Sequence, residues 1–280
     1  MPWLLILLIP GLIMAGLAYQ RWLVAVLAIP TLFIGLTFAP LFLPRLSTVL
    51  ATGAPLKVMS YNVLCCNKNV SALAKIIRQE QPDILLLQEL RPKVAPALKT
   101  VLADLYPDGQ LYLAYEPEVM QAVLSRYPLI PLSVEVKKGR VQKVTVAMPA
   151  GPIAVWNIHP STPRPWPRQY RQFSALADDI AAVEGPLIVG GDFNTTDQSE
   201  TYRLVSQHLS NAHWEAGWGF GFTFPANLPY PVNDLPVATP IFRIDHIFFS
   251  HHFFARSART LSASGDSDHF PIVAELSLVR

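Results

Sequence analysis

Pro186–Thr196, PLIVGGDFNTT, decides the fold. It reads as a short apolar strand, Leu187–Val189, running into a tight turn at Gly190 and Gly191, where no Cβ opposes the bend. Asp192 and Asn194 follow, two residues apart, at the strand's carboxyl end. A carboxylate and an amide at such a mouth suit phosphate chemistry. The carboxylate holds or activates a water, and the amide donates to a phosphoryl oxygen. Taken alone, the stretch reads equally well as a glycine turn with an Asx helix start capped by Thr195 or Thr196.

Working outward, the flanking chain alternates strands with helices. Lys57–Asn62 and Ile84–Leu87 read as strands, with a helix at Ser71–Glu80 between them that Pro82 stops. A helix at Pro92–Leu105 and short strands at Leu111–Tyr115 and Gln121–Leu124 follow. Val141–Met148 and Ile153–Ile158 flank Ala150–Gly151 as a hairpin, and Trp166–Val183 is an amphipathic helix. Beyond the central stretch come a helix near Ser199–His208, an irregular aromatic-rich segment from Trp214 to Phe242, and strands Ile244–Phe249 and Ile272–Leu278. Helices in some connections and hairpins in others predict a mixed-sheet α/β architecture with the helices outside.

Composition sets residues 1–44 apart. Charged residues make up 15% of the 280-residue chain, yet residues 1–44 carry only Arg21. Trp3–Tyr19 and Trp22–Leu43 are apolar runs, each about long enough to cross a ~30 Å hydrocarbon core as a helix. A single helix through both would strand Arg21 in mid-membrane, so a transmembrane helical hairpin with Arg21 at its turn is expected. A signal peptide is the rival reading of the first run, against which stands an amino end without Lys or Arg. Residues 45–56 read as a linker. The Pro44–Leu56 segment spans at most ~45 Å fully extended, which keeps residues 57–280 near the headgroups. The positive-inside bias places Arg21 in the cytoplasm and the domain outside, although Arg45 and Lys57 pull the other way. A net charge of +2 argues against general attraction to a polyanion. Adjacent Cys65 and Cys66 give no disulfide framework and too few ligands for a zinc site.

Further polar clusters share the placement of Asp192, each at the end of an apolar strand. Asn62 ends the first. Glu89 ends ILLLQE, Asn157 and His159 end IAVWNIH, Asp245 and His246 interrupt FRIDHIFF, and Asp268–His269 precedes the last strand. Each alone has a bland reading: a turn residue, a helix cap, a paired core histidine. Jointly they predict one carboxylate–amide–imidazole site. Oxygen donors without thiolates suit a hard cation such as Mg²⁺, or Mn²⁺. Two histidines and a spare carboxylate suit proton transfer and charge neutralisation at a phosphoryl group.

SYN, LLLQE, VLSRYPL, WNIH, GGDFN, FRIDHIFF and SDHFP, in this order, resemble the endonuclease/exonuclease/phosphatase superfamily over about Lys57–Arg280. The resemblance implies an α/β fold, a four-layer α/β/β/α sandwich with two mixed sheets and the site at one end. It implies that Asn62, Glu89 and Asp268 surround the metal, that Asp192 orients the attacking water and that Asn194 holds the phosphate. His159 and His269 would stabilise the transferring group or handle protons, with Asp245 orienting His269. Asn157, Arg164 and Arg168 are the expected substrate-binding residues. Leu64 stands where the DNA-repair members carry an acid, and their basic DNA-gripping loops are not evident.

The proline- and arginine-rich stretch after His159, together with the apolar runs before the domain, is similar to bacterial membrane-anchored members. The expectation is therefore a phosphoester hydrolase of the bacterial inner membrane, its domain extracytoplasmic, acting on a lipid-linked phosphate or pyrophosphate. A nuclease is the alternative activity, and a catalytically inactive, membrane-tethered binding module is the alternative class. The sequence points to the bilayer and a phosphoester, less to nucleic acid, and identifies no protein partner.

Overall fold

The computed structural model describes residues 2–43, 55–106, 111–135, 139–163, 165–226, 230–232, 235–237 and 239–279. The chain divides into two compact units, Met1–Leu46 with Trp218–Phe220, and Ser47–Gly217 with Gly221–Arg280.

In the first unit a 3₁₀ turn, Pro2–Leu4, leads into α1 (Leu5–Leu17). Ala18–Gln20 turn the chain into α2 (Arg21–Phe38), which a 3₁₀ turn continues to Phe42. Arg21 sits at that turn, and Pro10 and Pro30 lie inside the helices. The lengths differ from the expected pair of spans. Arg21–Phe42 has 22 residues and a mean hydropathy of 2.2, enough to cross a bilayer. α1 has only 13, about 20 Å at 1.5 Å per residue, because the turn residues and the 3₁₀ start take both ends of the first run. The outer surface is bare hydrocarbon: Ile29 is 71% exposed and Phe33 71%. The hydroxyls of α2 are satisfied internally, Thr31 Oγ1 donating to Leu27 O and Thr37 Oγ1 to Phe33 O. The expected linker falls mainly on residues 44–54, outside the described residues.

The second unit is two sheets face to face with helices outside. The first sheet contains β1 (Leu56–Asn62), β2 (Ile84–Gln88), β3 (Tyr112–Glu116), β4 (Gln121–Ser125), β13 (Phe253–Thr260) and β14 (Ile272–Leu278), in the order β13-β14-β1-β2-β4-β3. The second contains β5 (Leu129–Glu135), β6 (Val141–Met148), β7 (Gly151–Ile158), β8 (Leu187–Asp192), β9 (Ser210–Asn211) and β12 (Asp245–Phe249), in the order β5-β6-β7-β8-β12-β9. β10 (Tyr230–Val232) and β11 (Leu235–Val237) form a separate ribbon. Among the described strand pairs, β1/β2 and β7/β8 run parallel and the others antiparallel, so both sheets are mixed, as expected.

Period-two alternation builds the layers. Val58, Ile84 and Leu86 face Val144, Val155, Ile188 and Ile247 between the sheets. Met59, Tyr61, Leu85 and Leu87 face outward against α3 (Val70–Glu80) and α4 (Val94–Val101). Trp156, Ile158, Val189 and Phe248 face outward against α5 (Trp166–Ala181) and α6 (Glu200–Ser206). α3 begins at Asn69, whose side chain accepts from the Ala72 amide, and ends at left-handed Gln81 before Pro82.

Three local expectations are corrected. β8 continues to Asp192, so the two glycines lie inside the strand and the turn follows it. Gly190 is small because a Cβ there would meet Leu86 Cδ1 of the opposite sheet at 2.6 Å. Gly191 has φ +151°, and a Cβ would lie 2.0 Å from Ile158 O. Strands β5 and β13 were not expected: Pro131 interrupts the β5 pattern and four charged or hydroxyl positions interrupt β13, and both tolerate this because they are sheet edges. The aromatic-rich segment contains the short helix α7 (Ala212–Ala216) as well as the β10–β11 ribbon.

His246, next to Asp245 on β12, points to the opposite face, against Phe193, Tyr202 and Phe248. Its Nε2 lies 3.0 Å from Thr195 O and its Nδ1 3.4 Å from Asn211 Nδ2, a pairing that the neutral imidazole satisfies on both nitrogens. Burial, reinforced by the nearby Arg243, lowers its pKa to about 3. The unfolded chain therefore binds a proton below about pH 6.5 that the folded chain refuses, and stability falls on acidification. This one group removes about 1.4 kcal/mol per pH unit below that point, or roughly 2 kcal/mol by pH 5. Denaturation of the detergent-solubilised chain between pH 7 and 5 should show that slope, and His246→Phe should flatten it. Equal slopes in the two proteins would contradict the assignment.

Candidate active site

Strand direction gathers the site. β1 and β2 run parallel, as do β7 and β8, so each pair ends on one edge. β14 is antiparallel to β1 and β12 to β8, so both begin where their partners end. Asn62, Glu89, His159, Asp192, Asp245 and the Asp268–His269 pair consequently occupy the same edge of the sandwich. Asp245 is the register partner of Asp192.

Asn62 joins the two sheets, its Nδ2 donating to Asp192 Oδ2 at 3.0 Å and to Glu89 Oε1 at 3.3 Å, while its Oδ1 accepts from the Leu64 amide. Glu89 has left-handed backbone, φ 60°, and its Oε2 accepts the Cys65 amide at 2.8 Å. Burial works against its charge, but the Cys65 N–H, His159 and Asn62 outweigh burial and hold its pKa below the ordinary value. His159 Nε2 lies 3.7 Å from Glu89 Oε1 and 3.6 Å from Asp192 Oδ2. Burial lowers the His159 pKa in spite of those carboxylates, so the ring is neutral and these contacts are not ion pairs.

His269 behaves in the opposite way. Burial opposes its charge, but Asp245 and Asp192 overcome it and raise the pKa to about 10. Its Nδ1 is 2.8 Å from Asp245 Oδ2 and its Nε2 3.8 Å from Asp192 Oδ2. The ring is thus a protonated imidazole held by one acid and aimed at another. The Ser267 hydroxyl fixes the approach, accepting the His269 amide and donating to Asn62 O. The Asp192 carboxyl is pushed up by burial and by Asp245, and that of Asp268, half-buried, by burial and by Glu89.

Asn194 has φ 50°, donates its amide N–H to Asp192 Oδ1 at 2.8 Å, and sends Nδ2 to Pro160 O at 3.1 Å. The expected substrate residues fare differently. Asn157 is fully buried between the sheets and makes its hydrogen bonds there, so it is not a substrate ligand: on β7 it alternates with outward-facing Trp156 and Ile158. Arg168 is exposed in the first turn of α5, and Arg164 lies outside the described residues. Sequence reasoning missed the Cys65 amide, Ser267, and Gln169, which donates to both Ser161 O and Asn194 O and ties α5 to the site. Only Ser267 left a signal, a hydroxyl two residues before His269 as an ST turn requires.

The charges test the fit of a metal. Four carboxylates, Glu89, Asp192, Asp245 and Asp268, meet one protonated imidazole, and two of them are driven toward protonation. Asp245 Oδ1 is buried without a hydrogen-bond partner among the described residues. Asp192, Asp245 and His269 offer ligand atoms within 4.8 Å of one another, but His269 Nδ1 is already engaged with Asp245 Oδ2 at 2.8 Å. The cluster lacks positive charge and is rich in oxygen donors, which suits a hard divalent cation.

Comparison with known proteins identifies the family and the fold. The family model described as "Endonuclease/Exonuclease/phosphatase family" matches residues 59–269. A Vibrio cholerae protein named "UPF0294 protein" is 25% identical over 248 residues, covering 84% of this chain and 82% of the relative. Among solved structures, the Bacteroides thetaiotaomicron mannosyl-6-phosphatase has a TM-score of 0.60 at 18% identity, covering 80% of this chain and 100% of its own. D. rerio TDP2 complexed with single-strand DNA product has a TM-score of 0.63 at 15% identity, with the same coverage.

If these side chains act together, Glu89→Gln, Asp192→Asn and His269→Ala should each lower turnover on a phosphodiester by about 10²–10⁴-fold. Circular dichroism should be unchanged. Losses below threefold in all three folded variants would remove the site from this edge.

Proposed function

This chain belongs to the endonuclease/exonuclease/phosphatase family, whose members are metal-dependent phosphoester hydrolases, and from that premise we propose that it uses Mg²⁺ to hydrolyse a lipid-linked phosphate or pyrophosphate at a membrane. The convergence of Glu89, Asp192, Asp245, Asp268, His159 and His269 on one strand edge carries the chemical part of the reading.

Glu89, Asp268 and, with its amide turned over, Asn62 are the residues to hold the cation, which when bound neutralises phosphoryl oxygens. Asp192 lies where it can orient the attacking water and take its proton. Asp245 fixes His269 by holding Nδ1–H, so that Nε2–H is presented to a phosphoryl oxygen as charge builds there. Neutral His159 stands across from it as a second polar contact. Asn194 is tethered to Asp192 on one side and Pro160 on the other, which sets its amide for the phosphate. Arg164 and Arg168 are proposed for the rest of the substrate.

The bare apolar surface of α2 supports membrane attachment, since a soluble helix of that composition would be covered. A short tether raises the effective concentration of a membrane-borne substrate, to about the millimolar range, and does nothing comparable for soluble DNA. Arg21 at the α1–α2 turn favours the cytoplasmic face there and hence an extracytoplasmic domain in the bacterial inner membrane. Nuclease activity is the second reading, favoured by the structural neighbour that carries a DNA product.

Two measurements decide. Full-length protein in mixed micelles should turn over lipid phosphates with higher kcat/KM than single- or double-stranded DNA at matched Mg²⁺ and salt, and chelation should abolish activity reversibly. Faster cleavage of DNA than of every lipid, unchanged on removing residues 1–44, would establish the nuclease instead. Protease added to intact spheroplasts should reach residues 57–280, and complete protection would reverse the orientation.

A further inference from the structure

The two halves of the site stand on different sheets. Asn62, Glu89 and His269 are carried by or beside β1, β2 and β14, whereas His159, Asp192 and Asp245 are carried by β7, β8 and β12. Contacts between site residues cross from sheet to sheet, among them His269 Nδ1 to Asp245 at 2.8 Å and His159 Nε2 to Glu89 Oε1 at 3.7 Å. Their geometry depends on how one sheet is registered on the other. Apolar packing fixes that only loosely, because aliphatic side chains of similar volume exchange and shift at small penalty.

Over most of the interface the filling is apolar, Val58, Leu86, Val144, Val155 and Ile188 among others. At the site edge it changes to amides. Gln88, directly before Glu89, donates Nε2 to Asn157 Oδ1 at 2.7 Å. Asn157, two residues before His159, donates Nδ2 to Leu87 O at 2.9 Å and to Ala122 O at 3.1 Å, both on the first sheet. Gln121 Nε2 returns a bond to Asn157 O at 3.0 Å. Gln88, Gln121 and Asn157 are all fully buried. Directional bonds therefore replace non-directional packing one or two residues from groups that face each other across the site.

The seam is poorly satisfied as a stabilising network. Gln88 Oε1 and Gln121 Oε1 are buried with no donor among the described residues. A partly satisfied buried network is worse for stability than an apolar filling. We propose that the Gln88–Asn157 amide pair sets the register of the two sheets at the site, making both residues positioning residues for hydrolysis. The inference rests on the catalytic reading of Glu89 and His159.

The test uses full-length protein in detergent, Mg²⁺ and bis-p-nitrophenyl phosphate, a probe that demands no particular substrate. Gln88→Met keeps length and exchanges one orphan oxygen for another, so Tm should move by only a few degrees. Misplacement on the order of 1 Å costs about 10²-fold in rate, so kcat should fall roughly tenfold to a hundredfold with KM within about twofold. Asn157→Leu should do the same, and the double variant should be no slower than the slower single one, since both remove one device. Unchanged kcat in either folded variant overturns the proposal. So do a rise in KM alone, which marks a substrate contact, multiplicative losses with falling Tm, which mark a structural role, and failure of both variants to fold. Glu89→Gln is the control: full activity there fails the catalytic reading itself, independently of Gln88.

Discussion

Mutual repulsion among Glu89, Asp192, Asp245 and Asp268 is the constraint to which the rest of the molecule answers. Four carboxylates crowd at one edge, where Asp245 pushes up the Asp192 carboxyl and Glu89 pushes up that of Asp268, and the fold surrounds them with donors. The Cys65 amide takes one oxygen of Glu89, the Asn62 amide lies between Glu89 and Asp192, and protonated His269 lies between Asp192 and Asp245. These donors come from separate stretches of chain, so the site exists only when both sheets are assembled. On the proposed reading a divalent cation held by Asn62, Glu89 and Asp268 would complete the same balance from the first sheet.

Much of this was legible because charge and amide at the end of an apolar strand break a strong pattern. Asp192, Glu89 and Asp268 stood out for that reason, and parallel and antiparallel pairing then placed them on one edge. What stayed hidden was direction. Asn157 carries the residue type of a ligand, yet on β7 it follows Ile153 and Val155 in the inward-facing series while Trp156 and Ile158 face α5. Counting by twos from Val155 would have turned it inward; reading it as part of a motif turned it toward substrate. β5 and β13 escaped notice because edge strands need bury only one neighbour and tolerate Pro131 or Arg256 and Arg259. The α1 length escaped because hydropathy reports composition, whereas the helix ends are set by its turns.

The same alternation lets one strand serve two purposes. In Asp245–Phe249 the odd positions face the sheet interface and the even ones face the α5–α6 layer. Asp245 thereby orients His269 while His246, its neighbour, is locked neutral in an aromatic cage. Adjacent side chains are sent to different surroundings by the face on which they lie, and sequence proximity says nothing about which one reaches the site.

The roles proposed for the polar groups at the edge concern a water, a cation and a phosphoryl oxygen, and none of these roles concerns the remainder of a substrate. Selection among phosphoesters has to come from elsewhere in the chain. Two features are unspent by the chemistry. One is the segment after His159, where Gln169 anchors α5 to Asn194 and leaves Arg168 and half-exposed Trp166 at the surface. The other is α2, which with the turn that continues it to Phe42 makes a 22-residue apolar stretch. On the proposed reading a tether acts on encounter and not on the transition state, so it would raise the occupancy of the site by membrane-borne substrate without altering kcat. The cations of α5 would act at closer range, on a group already delivered. On that reading reaction class and substrate choice are separable: the first would rest on strand ends, the second on location and on a single helix start.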